Sequence, residues 1–385
     1  MNFLVIGSGM MGSALAFDLA RSHGVERVTL ADENLERAKE AAARIPSKIV
    51  QPVALDANDS ASVVATMRGH SCAIGAVSHR LNFALSRAAI EAGVHFCDLG
   101  GNDAVVEQQL SLSDDAKRAN VLIVPNCGLA PGLANILAAR GAEQFDSVDA
   151  IKMRVGGLPQ HPQPPMNYQL VFSAEGLVNE YSGKSTVIRD GKIAYVDALT
   201  EIEEIEFPAP FGMLEAFHTS GGASLTPKMF AGKIRHLDYK TIRYPGHCEK
   251  FKTLLELGFG SHEPITFGSN ILTEREIFIE LLKRKLPSAE ADVVLLRVSI
   301  SGTRSGRMQR LEYNLIDFFD KVDNISSMMR TTSFPTSLIA QFAANGTMKK
   351  RGVHTAEQCV PLEPLLQGLR QRRMNIQETW PWKHI

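Results

Sequence analysis

The sequence predicts an α/β protein with two domains: a parallel sheet covered by helices on both faces, and a second domain of α+β type. Three observations support this prediction. Strand and helix patterns alternate with short turns over about the first 125 residues, which is typical of strand–helix–strand units. A glycine-rich turn directly follows the first strand. From Ile151 the alternation gives way to a mixed pattern with apolar runs suited to antiparallel strands.

The first domain is predicted to contain short apolar strands, as expected for a sheet buried on both faces. In chain order these strands cover residues 2–6, 27–31, 50–55, 72–77, 94–97 and 121–124. Helical periodicity predicts helices between them, including residues 11–22, 35–44, 81–92 and 104–119.

The second domain is predicted to begin with a strand over residues 151–155, which Gly156 and Gly157 are expected to end. The proline-rich stretch 158–165 predicts an ordered loop, and residues 293–300 and 311–318 predict an antiparallel pair. These patterns place the domains at residues 1–128 and 129–330, followed by a C-terminal segment over residues 331–385.

Composition excludes several classes of function. The 385 residues are 44% hydrophobic, and 41 basic residues stand against 42 acidic ones. A net charge of −1 predicts neither a nucleic acid nor a membrane partner. The 5 cysteines are widely spaced without a C-x-x-C pair, which argues against a disulfide framework and against a metal site. With neither a signal peptide pattern nor a long apolar run, we expect a cytoplasmic protein.

The strongest motif is the turn from Gly7 to Gly12, which matches G-x-G-x-x-G between a strand and an amphipathic helix. Gly7 permits the tight turn, Gly9 lets the backbone approach a pyrophosphate, and Gly12 lets the helix pack on the sheet. Met10 and Met11 lie where the predicted helix begins, and the free N–H groups there attract phosphates. The motif predicts a Rossmann-type dinucleotide site. The alternative is a glycine-rich turn without a ligand.

The acidic residue Asp32 ends the second predicted strand, where an acid binds the adenosine ribose in Rossmann domains. Its carboxylate would accept hydrogen bonds from the ribose hydroxyls and repel the 2′-phosphate of NADP. The neighbouring residues Glu33 and Asn34 offer no cation for that phosphate. The expected cofactor is therefore NAD.

Further candidates follow the later strands of the predicted sheet, because ligands bind beyond the carboxyl ends of parallel strands. Ala76 and Val77 end the fourth strand, and Gly100 follows the fifth. We expect all of them to contact the cofactor. Asp98 is a candidate proton acceptor beside the nicotinamide ring. The alternative is that the glycines only turn the chain and that Asp98 caps the next helix.

In the second domain, polar residues cluster in three segments, 173–176, 215–222 and 240–247. Arg243 is a candidate for binding a substrate carboxylate through two parallel hydrogen bonds. Glu175 is a candidate for binding a substrate amine, and Thr219 and Ser220 are further candidates for binding the substrate. His218 is a candidate for proton transfer near neutral pH. The alternatives are a surface ion pair, a helix cap and a structural histidine. We expect Asp98 and these side chains to converge in one cleft between the domains.

Several longer segments carry a family resemblance. They are VGGLPQHPQPPMNYQLVFSAEGL (155–177), EAFHTSGG (215–222), KTIRYPGH (240–247) and VVLLRV (293–298), with weaker support from DLGG (98–101), APG (130–132) and KRGV (350–353). Over almost its whole length the chain resembles the saccharopine dehydrogenase-like family, and within it the lysine 6-dehydrogenase branch.

The resemblance implies that the C-terminal segment packs back on the Rossmann domain. It also implies that the middle domain builds both the substrate site and the interface of a homodimer or higher oligomer. The implied reaction is oxidative deamination of L-lysine at its ε-carbon, giving 2-aminoadipate 6-semialdehyde, which cyclises, with ammonia and NADH. Asp98 and Cys127 match positions that lie beside the nicotinamide in saccharopine reductases.

Two other functions stay open at this point. A saccharopine dehydrogenase would join or split lysine or its semialdehyde and glutamate, and its pocket would need further cations. Arg154, Arg235 and Arg297 are the candidates for that role. A non-catalytic NAD-binding sensor would keep the glycine motif without convergence of Asp98, His218 and Arg243.

Overall fold

The computed structural model describes residues 1–268, 270–288 and 290–381, and these residues form two compact units. Unit 1 contains Met1–Glu143 and Met329–Asn375. Unit 2 contains Gln144–Met328 and the described residues from Ile376 onward. The chain therefore passes into unit 2 after Glu143, later than the predicted boundary at residue 128, because a helix that follows the sixth strand is counted with unit 1.

The elements follow one another along the chain as follows. The strands are β1 (Asn2–Ile6), β2 (Arg27–Asp32), β3 (Val50–Ala54), β4 (Cys72–Gly75), β5 (His95–Asp98), β6 (Leu122–Val124), β7 (Ser147–Pro159), β8 (Lys184–Arg189), β9 (Lys192–Asp197), β10 (Glu203–Phe207), β11 (Gly212–His218), β12 (His236–Arg243), β13 (Pro264–Phe267), β14 (Asn270–Thr273), β15 (Asp292–Arg304), β16 (Arg307–Phe318), β17 (Gly352–Val353) and β18 (Gln377–Thr379). The helices are α1 (Met10–Ala20), α2 (Leu35–Ala43), α3 (Ser60–Met67), α4 (Asn82–Ala92), α5 (Asp103–Ser111), α6 (Ser113–Arg118), α7 (Leu133–Ala142), α8 (Ala174–Glu180), α9 (Thr226–Phe230), α10 (His247–Glu256), α11 (Glu274–Lys285), α12 (Ser327–Ala344), α13 (Ala356–Cys359) and α14 (Leu362–Gln371), with a short 3₁₀ turn at His79–Leu81.

Unit 1 is built on a parallel sheet whose strand order, among the described residues, is β17-β6-β5-β4-β1-β2-β3. The inner strands are buried along almost their full length, which explains their apolar sequences. Because β1 lies between β2 and β4, the strand order reverses beside β1. A dinucleotide binds beyond the carboxyl ends of the strands at such a reversal. The predicted Rossmann-type sheet is confirmed.

The C-terminal part of unit 1 returns to this sheet. β17 pairs in parallel with β6, and the Arg372 guanidinium lies 2.7 Å from the Asp18 carboxylate on α1. The hydroxyl of Thr336 on α12 donates a hydrogen bond of 2.7 Å to the carbonyl of Cys127. These contacts fix α12 and α14 against the first part of the unit. The residues after Asn375 instead add β18 to the sheet of unit 2.

Unit 2 is built on a mixed sheet with the path β10-β11-β12-β7-β15-β16-β18, to which β8 and β9 add beside β12 in the described residues. The predicted antiparallel pair is confirmed as β15 and β16, which pair along their full length. An apolar cluster around Phe217, Phe251 and Phe278 packs α8, α10 and α11 on one face of this sheet. The predicted second domain is therefore confirmed as a mixed-sheet unit with its own core.

The predicted end of a strand at Gly156 is wrong, because β7 continues to Pro159 between β12 and β15. A Cβ atom at Gly156 would lie 2.4 Å from the carbonyl oxygen of Ile242 on β12. Glycine here permits close packing inside the sheet rather than a turn. The single helix predicted over residues 104–119 is likewise interrupted at Leu112, where α5 ends and α6 begins. Among the described residues, no helix has the length and apolar character of a membrane span.

Candidate active site

The glycine turn of unit 1 is tight on one side and open on the other. Gly7 has φ +102°, and a Cβ atom there would lie 2.5 Å from the carbonyl oxygen of Ala76. A Cβ atom at Gly12 would lie 1.8 Å from the carbonyl oxygen of Gly7. No described atom lies within 4 Å of a Cβ atom built on Gly9, which precedes α1 and supplies no side-chain cap. The turn therefore fits a pyrophosphate at the open N-terminus of α1, where Met10 and Met11 lie.

Asp32 fastens this turn to the end of β2. Its Oδ2 atom accepts hydrogen bonds from the backbone N–H of Ser8 at 2.8 Å and from the Ser8 hydroxyl at 2.7 Å. Its Oδ1 atom accepts from the Asn34 N–H at 3.0 Å and from Arg37 Nη2 at 2.5 Å. Burial alone would raise the pKa of Asp32, but these hydrogen bonds outweigh it and lower the pKa to about 2. The carboxylate is therefore charged at physiological pH.

Arg37 is a residue that sequence reasoning missed. It lies in the first turn of α2, and its guanidinium donates to Asp32 through both Nε and Nη2. The sequence analysis considered only Glu33 and Asn34 as neighbours of Asp32, and the structure adds the cation of Arg37. The signal was present in the sequence, because a residue in the first turn of the helix after β2 faces back toward the end of that strand. The site has an acid suited to a ribose and a cation suited to a 2′-phosphate.

Asp98 at the end of β5 is fully buried and engaged by hydrogen-bond donors. Its carboxylate accepts from the N–H of Gly100 at 2.8 Å, the N–H of Asn126 at 3.2 Å and Gln109 Nε2 at 2.6 Å. Burial raises its pKa to about 6, although these bonds oppose the shift. The contacts make Asp98 a positioning residue that joins the loops after β5 and β6. They leave it poorly placed to accept a proton from a substrate.

Cys127 is also buried, and its hydrogen bonds help to position the loops that follow β5 and β6. Its N–H donates to the carbonyl of Asp98 at 2.8 Å, and its thiol donates to the carbonyl of Val124 at 3.2 Å. Burial raises the pKa of this thiol well above its usual range, so it stays protonated.

Of the other predicted cofactor contacts, Ala76 and Val77 are half-buried beside the glycine turn.

In unit 2, the strand register separates two predicted site residues. His218 pairs with Lys240, and Glu215 pairs with Arg243, across β11 and β12. Paired residues share a face of a sheet, and successive residues alternate between faces. His218 and Arg243 therefore lie on opposite faces of the sheet. The expectation that both line one cleft is wrong within this unit.

His218 belongs to a network of charges on its face. It is fully buried, and its Nε2 atom lies 3.1 Å from the Glu201 carboxylate, to which it must donate because a carboxylate only accepts. Burial lowers the pKa of His218, so the ring is neutral near pH 7. The network also contains Arg154, Arg189, Glu203, Asp238 and Lys240. These contacts favour a structural role for His218.

The opposite face holds a buried guanidinium surrounded by aromatic rings. Arg243 is 2% exposed, and its Nε atom donates to the Tyr181 hydroxyl at 2.8 Å. The guanidinium lies 4.8 Å from the ring centre of Tyr168. Among the described residues, no carboxylate lies within salt-bridge distance of Arg243. Removing a charge from water without a partner is costly, so this arrangement favours an anionic ligand at Arg243.

Tyr181 connects Arg243 to His247 through one directed chain of hydrogen bonds. His247 Nδ1 lies 3.0 Å from the carbonyl of Met166 and must donate to it. Its Nε2 atom therefore accepts from the Tyr181 hydroxyl at 2.9 Å, and that hydroxyl accepts from Arg243. Burial lowers the pKa of His247 to about 3, which keeps the ring neutral and able to accept. The chain holds the guanidinium in one orientation.

Helix α8 carries two glutamates with different surroundings. Glu175 lies exposed in its first turn, where its charge acts on Arg275. Glu180 ends the helix on the side of Arg243, and burial raises its pKa to about 7 despite the positive charge of Arg243. Ser220 donates to the carbonyl of Asn179 at 2.9 Å and thereby holds the end of α8. Glu180 is therefore an acid beside Arg243 that sequence reasoning missed.

The hydroxyl of Thr219 is buried without a hydrogen-bond partner among the described residues, as is the hydroxyl of Tyr168. Thr219 directly precedes Ser220, which binds the end of α8. Both hydroxyls are polar groups of unit 2 that a ligand can satisfy. In the described part of the chain, no cluster of histidine, cysteine and acidic residues could hold a metal ion.

Comparison with known proteins identifies relatives of both units. A model of the saccharopine dehydrogenase NADP binding domain matches residues 3–124, and a model of the saccharopine dehydrogenase C-terminal domain matches residues 128–374. The saccharopine dehydrogenase (NADP+, L-glutamate-forming) of Pyricularia oryzae is 24% identical over 315 residues, or 80% of this chain and 68% of the relative. The carboxyaminopropylagmatine dehydrogenase of Synechocystis is 24% identical over 214 residues, or 53% of each chain.

Solved structures show the same fold. The apo saccharopine dehydrogenase (L-Glu forming) of Saccharomyces cerevisiae has a TM-score of 0.78 at 17% identity, covering 99% of this chain and 100% of that one. The homospermidine synthase of Legionella pneumophila in complex with NAD has a TM-score of 0.71 at 12% identity, covering 99% and 92%. The resemblance to the saccharopine dehydrogenase-like family is confirmed.

Asp32→Ala and Arg37→Ala should shift the choice of cofactor in opposite directions. Loss of Asp32 removes a charged acceptor for the ribose hydroxyls, so NADH affinity should fall about 10- to 150-fold, equivalent to about 1.5–3 kcal/mol. It also frees Arg37, so NADPH should bind better. Arg37→Ala should weaken NADPH and leave NADH nearly unchanged. Titration followed by nicotinamide fluorescence measures each affinity. Equal or tighter NADPH binding by the unmodified protein would refute NAD selection by Asp32.

Tyr181→Phe should destabilise unit 2, because it leaves Arg243 Nε and His247 Nε2 buried without partners. Each unsatisfied group costs about 1–3 kcal/mol. Urea denaturation measures the free energy of unfolding, and Tyr195→Phe is the control because Tyr195 is 63% exposed. An unchanged free energy in Tyr181→Phe would show that the chain of hydrogen bonds does not form.

His218→Ala tests the structural role of this histidine. Because His218 lies away from Arg243, the variant should unfold at a lower temperature while its pH–rate profile keeps the wild-type shape. Differential scanning fluorimetry and kcat/KM measured across pH provide the two readouts. A loss of kcat of about 100-fold or more at an unchanged Tm would instead support general acid–base catalysis by His218.

Proposed function

The chain belongs to the saccharopine dehydrogenase family, and on that premise we propose that it oxidises L-lysine at the ε-carbon with NAD. The products are ammonia, NADH and 2-aminoadipate 6-semialdehyde, which cyclises on its own amine. Asp32 supports NAD as the cofactor, because it presents a charged acceptor at the end of β2. We also propose that unit 2 forms the interface of a homodimer or higher oligomer.

The buried guanidinium of Arg243 carries this proposal. It is held in one orientation by Tyr181, and its charge lacks a carboxylate partner among the described residues. A substrate carboxylate would supply that partner through two parallel hydrogen bonds. An amino acid bound in this way has its α-carboxylate fixed, and the length of its side chain then determines which carbon reaches the nicotinamide.

The surroundings of Arg243 favour a substrate with one carboxylate. Saccharopine carries two further carboxylates, which need cations of their own. Of the three arginines considered for that role, Arg154 is paired with Asp238 on the opposite face of the sheet. Arg235 is exposed, and Arg297 lies over the ring of Phe207. None of these three joins the group around Arg243 in the described part of unit 2, which supports lysine over saccharopine.

The chain contributes binding, orientation and protection from water, while the cofactor accepts the hydride. The turn after β1 would hold the pyrophosphate at the N-terminus of α1. Asp98 would fix the loops after β5 and β6 by its hydrogen bonds to Gly100 and Asn126. Arg243 would align the substrate carboxylate. The ε-carbon loses a hydride, the iminium that results takes up water, and ammonia leaves.

Lysine should be turned over without a second amino acid, and ornithine and saccharopine should be poor substrates. With the α-carboxylate on Arg243, ornithine would place its terminal carbon about 1.3 Å short of the nicotinamide. A misplacement of about 1 Å can lower the rate about 100-fold. Purified protein is incubated with NAD and each compound, and NADH and ammonia are measured.

Turnover of saccharopine to glutamate or lysine, with little activity on lysine, would contradict the proposal and favour the activity named for the Pyricularia relative. Binding of NAD without turnover of any of these compounds would favour another amine substrate or a non-catalytic sensor.

A further inference from the structure

We propose that Glu180 binds the α-ammonium group of the substrate beside Arg243, and that this pair of opposite charges makes the pocket selective for α-amino acids. The inference rests on the proposed function only in taking an amino acid as the substrate. It replaces Glu175, the glutamate that the sequence favoured for this role.

The position of Glu180 is fixed by the segment after β11. The N–H of Ser220 donates to the carbonyl of Glu180 at 2.8 Å, and the Ser220 hydroxyl donates to the carbonyl of Asn179 at 2.9 Å. These bonds hold the last turn of α8, which also carries Tyr181, the partner of Arg243. Glu180 and the group that orients Arg243 are therefore neighbours on one rigid helix end.

The carboxylate of Glu180 has electrostatic partners but no hydrogen-bond donor. Its charge acts on Arg243, Tyr168, Tyr181 and Tyr239. Among the described residues, no side chain or backbone group donates a hydrogen bond to this carboxylate. A partly buried acid without a donor is costly, and burial accordingly raises its pKa to about 7. An ammonium group would supply both the charge and the hydrogen bonds that are missing.

Glu180 and Arg243 thus present a carboxylate and a guanidinium that attract one another without joining in a salt bridge. An α-amino acid carries the complementary pair, because its ammonium and carboxylate groups are attached to the same carbon. The buried hydroxyl of Tyr168, whose ring contacts the Arg243 guanidinium, has no hydrogen-bond partner among the described residues and adds a polar group to the same surroundings. A simple amine would leave Arg243 unpaired, and a simple acid would leave Glu180 unpaired.

The test compares lysine with 6-aminohexanoate, which keeps the carboxylate and the terminal amine but lacks the α-amine. In Glu180→Gln, kcat/KM for lysine should fall about 10- to 150-fold, the value of a charge-assisted hydrogen bond. The value for 6-aminohexanoate should change less than about 3-fold, within the variation expected of a neutral contact. The preference for lysine should therefore collapse, mainly through KM. Glu249→Gln, at an exposed position on α10, is the matched control.

If Glu180→Gln lowered kcat/KM for lysine and for 6-aminohexanoate by the same factor, Glu180 would be only structural and the inference would be overturned. The same loss of preference in Glu175→Gln, with Glu180→Gln unaffected, would also overturn it. Thermal unfolding checks that Glu180→Gln and Glu249→Gln both keep the fold.

Isothermal titration calorimetry tests this inference independently of catalysis. If lysine is not oxidised, the proposed function fails, but amino acids and their deaminated analogues can still be titrated into the protein with NAD bound. Tighter binding of the α-amino forms that is lost in Glu180→Gln would support the inference even then. Equal binding of both forms, or binding of neither, would overturn it.

Discussion

A buried guanidinium without a carboxylate partner is the constraint around which unit 2 is organised. Arg243 is 2% exposed, and its fixed contacts are one tyrosine hydroxyl, its neighbouring backbone carbonyl and two aromatic faces. Aromatic faces and neutral dipoles reduce the cost of burying the charge but do not cancel it. The cost that remains lowers the stability of the protein, and an anion bound at Arg243, as proposed, would offset it.

Two other buried acids, Asp98 and Glu215, position backbone instead of offering a free carboxylate. Asp98 accepts hydrogen bonds from the backbone N–H groups of Gly100 and Asn126. Glu215 accepts from the backbone of Gly246 at 2.8 Å and of Cys248 at 2.7 Å, which fixes the start of α10 and thus His247. These carboxylates are saturated by backbone donors and position loops. Glu180 differs from them because no described residue donates a hydrogen bond to its carboxylate, and its proposed role as a ligand-binding acid rests on this contrast.

Sequence reasoning succeeded where one residue pattern determines one local structure. Alternating strands and helices, with Gly7–Gly12 between β1 and α1, predicted the sheet of unit 1 and its cofactor turn. It failed where the answer depends on pairing between distant segments. The register of β11 against β12 places His218 and Arg243 on opposite faces of the sheet. Gly156 packs against Ile242 only because β12 lies beside β7. Glu175 and Glu180 share one short helix, and only its packing reveals which of them faces Arg243.

The return of the chain to unit 1 has a consequence for its synthesis. β17 pairs with β6, yet Val124 and Gly352 are separated in sequence by most of unit 2, the segment Gln144–Met328. At ribosomal speeds of about 5–20 residues per second, the roughly 230 intervening residues take about 10–50 s to emerge. Throughout that interval the edge of β6 that later receives β17 has no strand to pair with, and such an edge invites association with other chains. We expect nascent chains arrested before Gly352 to depend on chaperones far more than the released protein does.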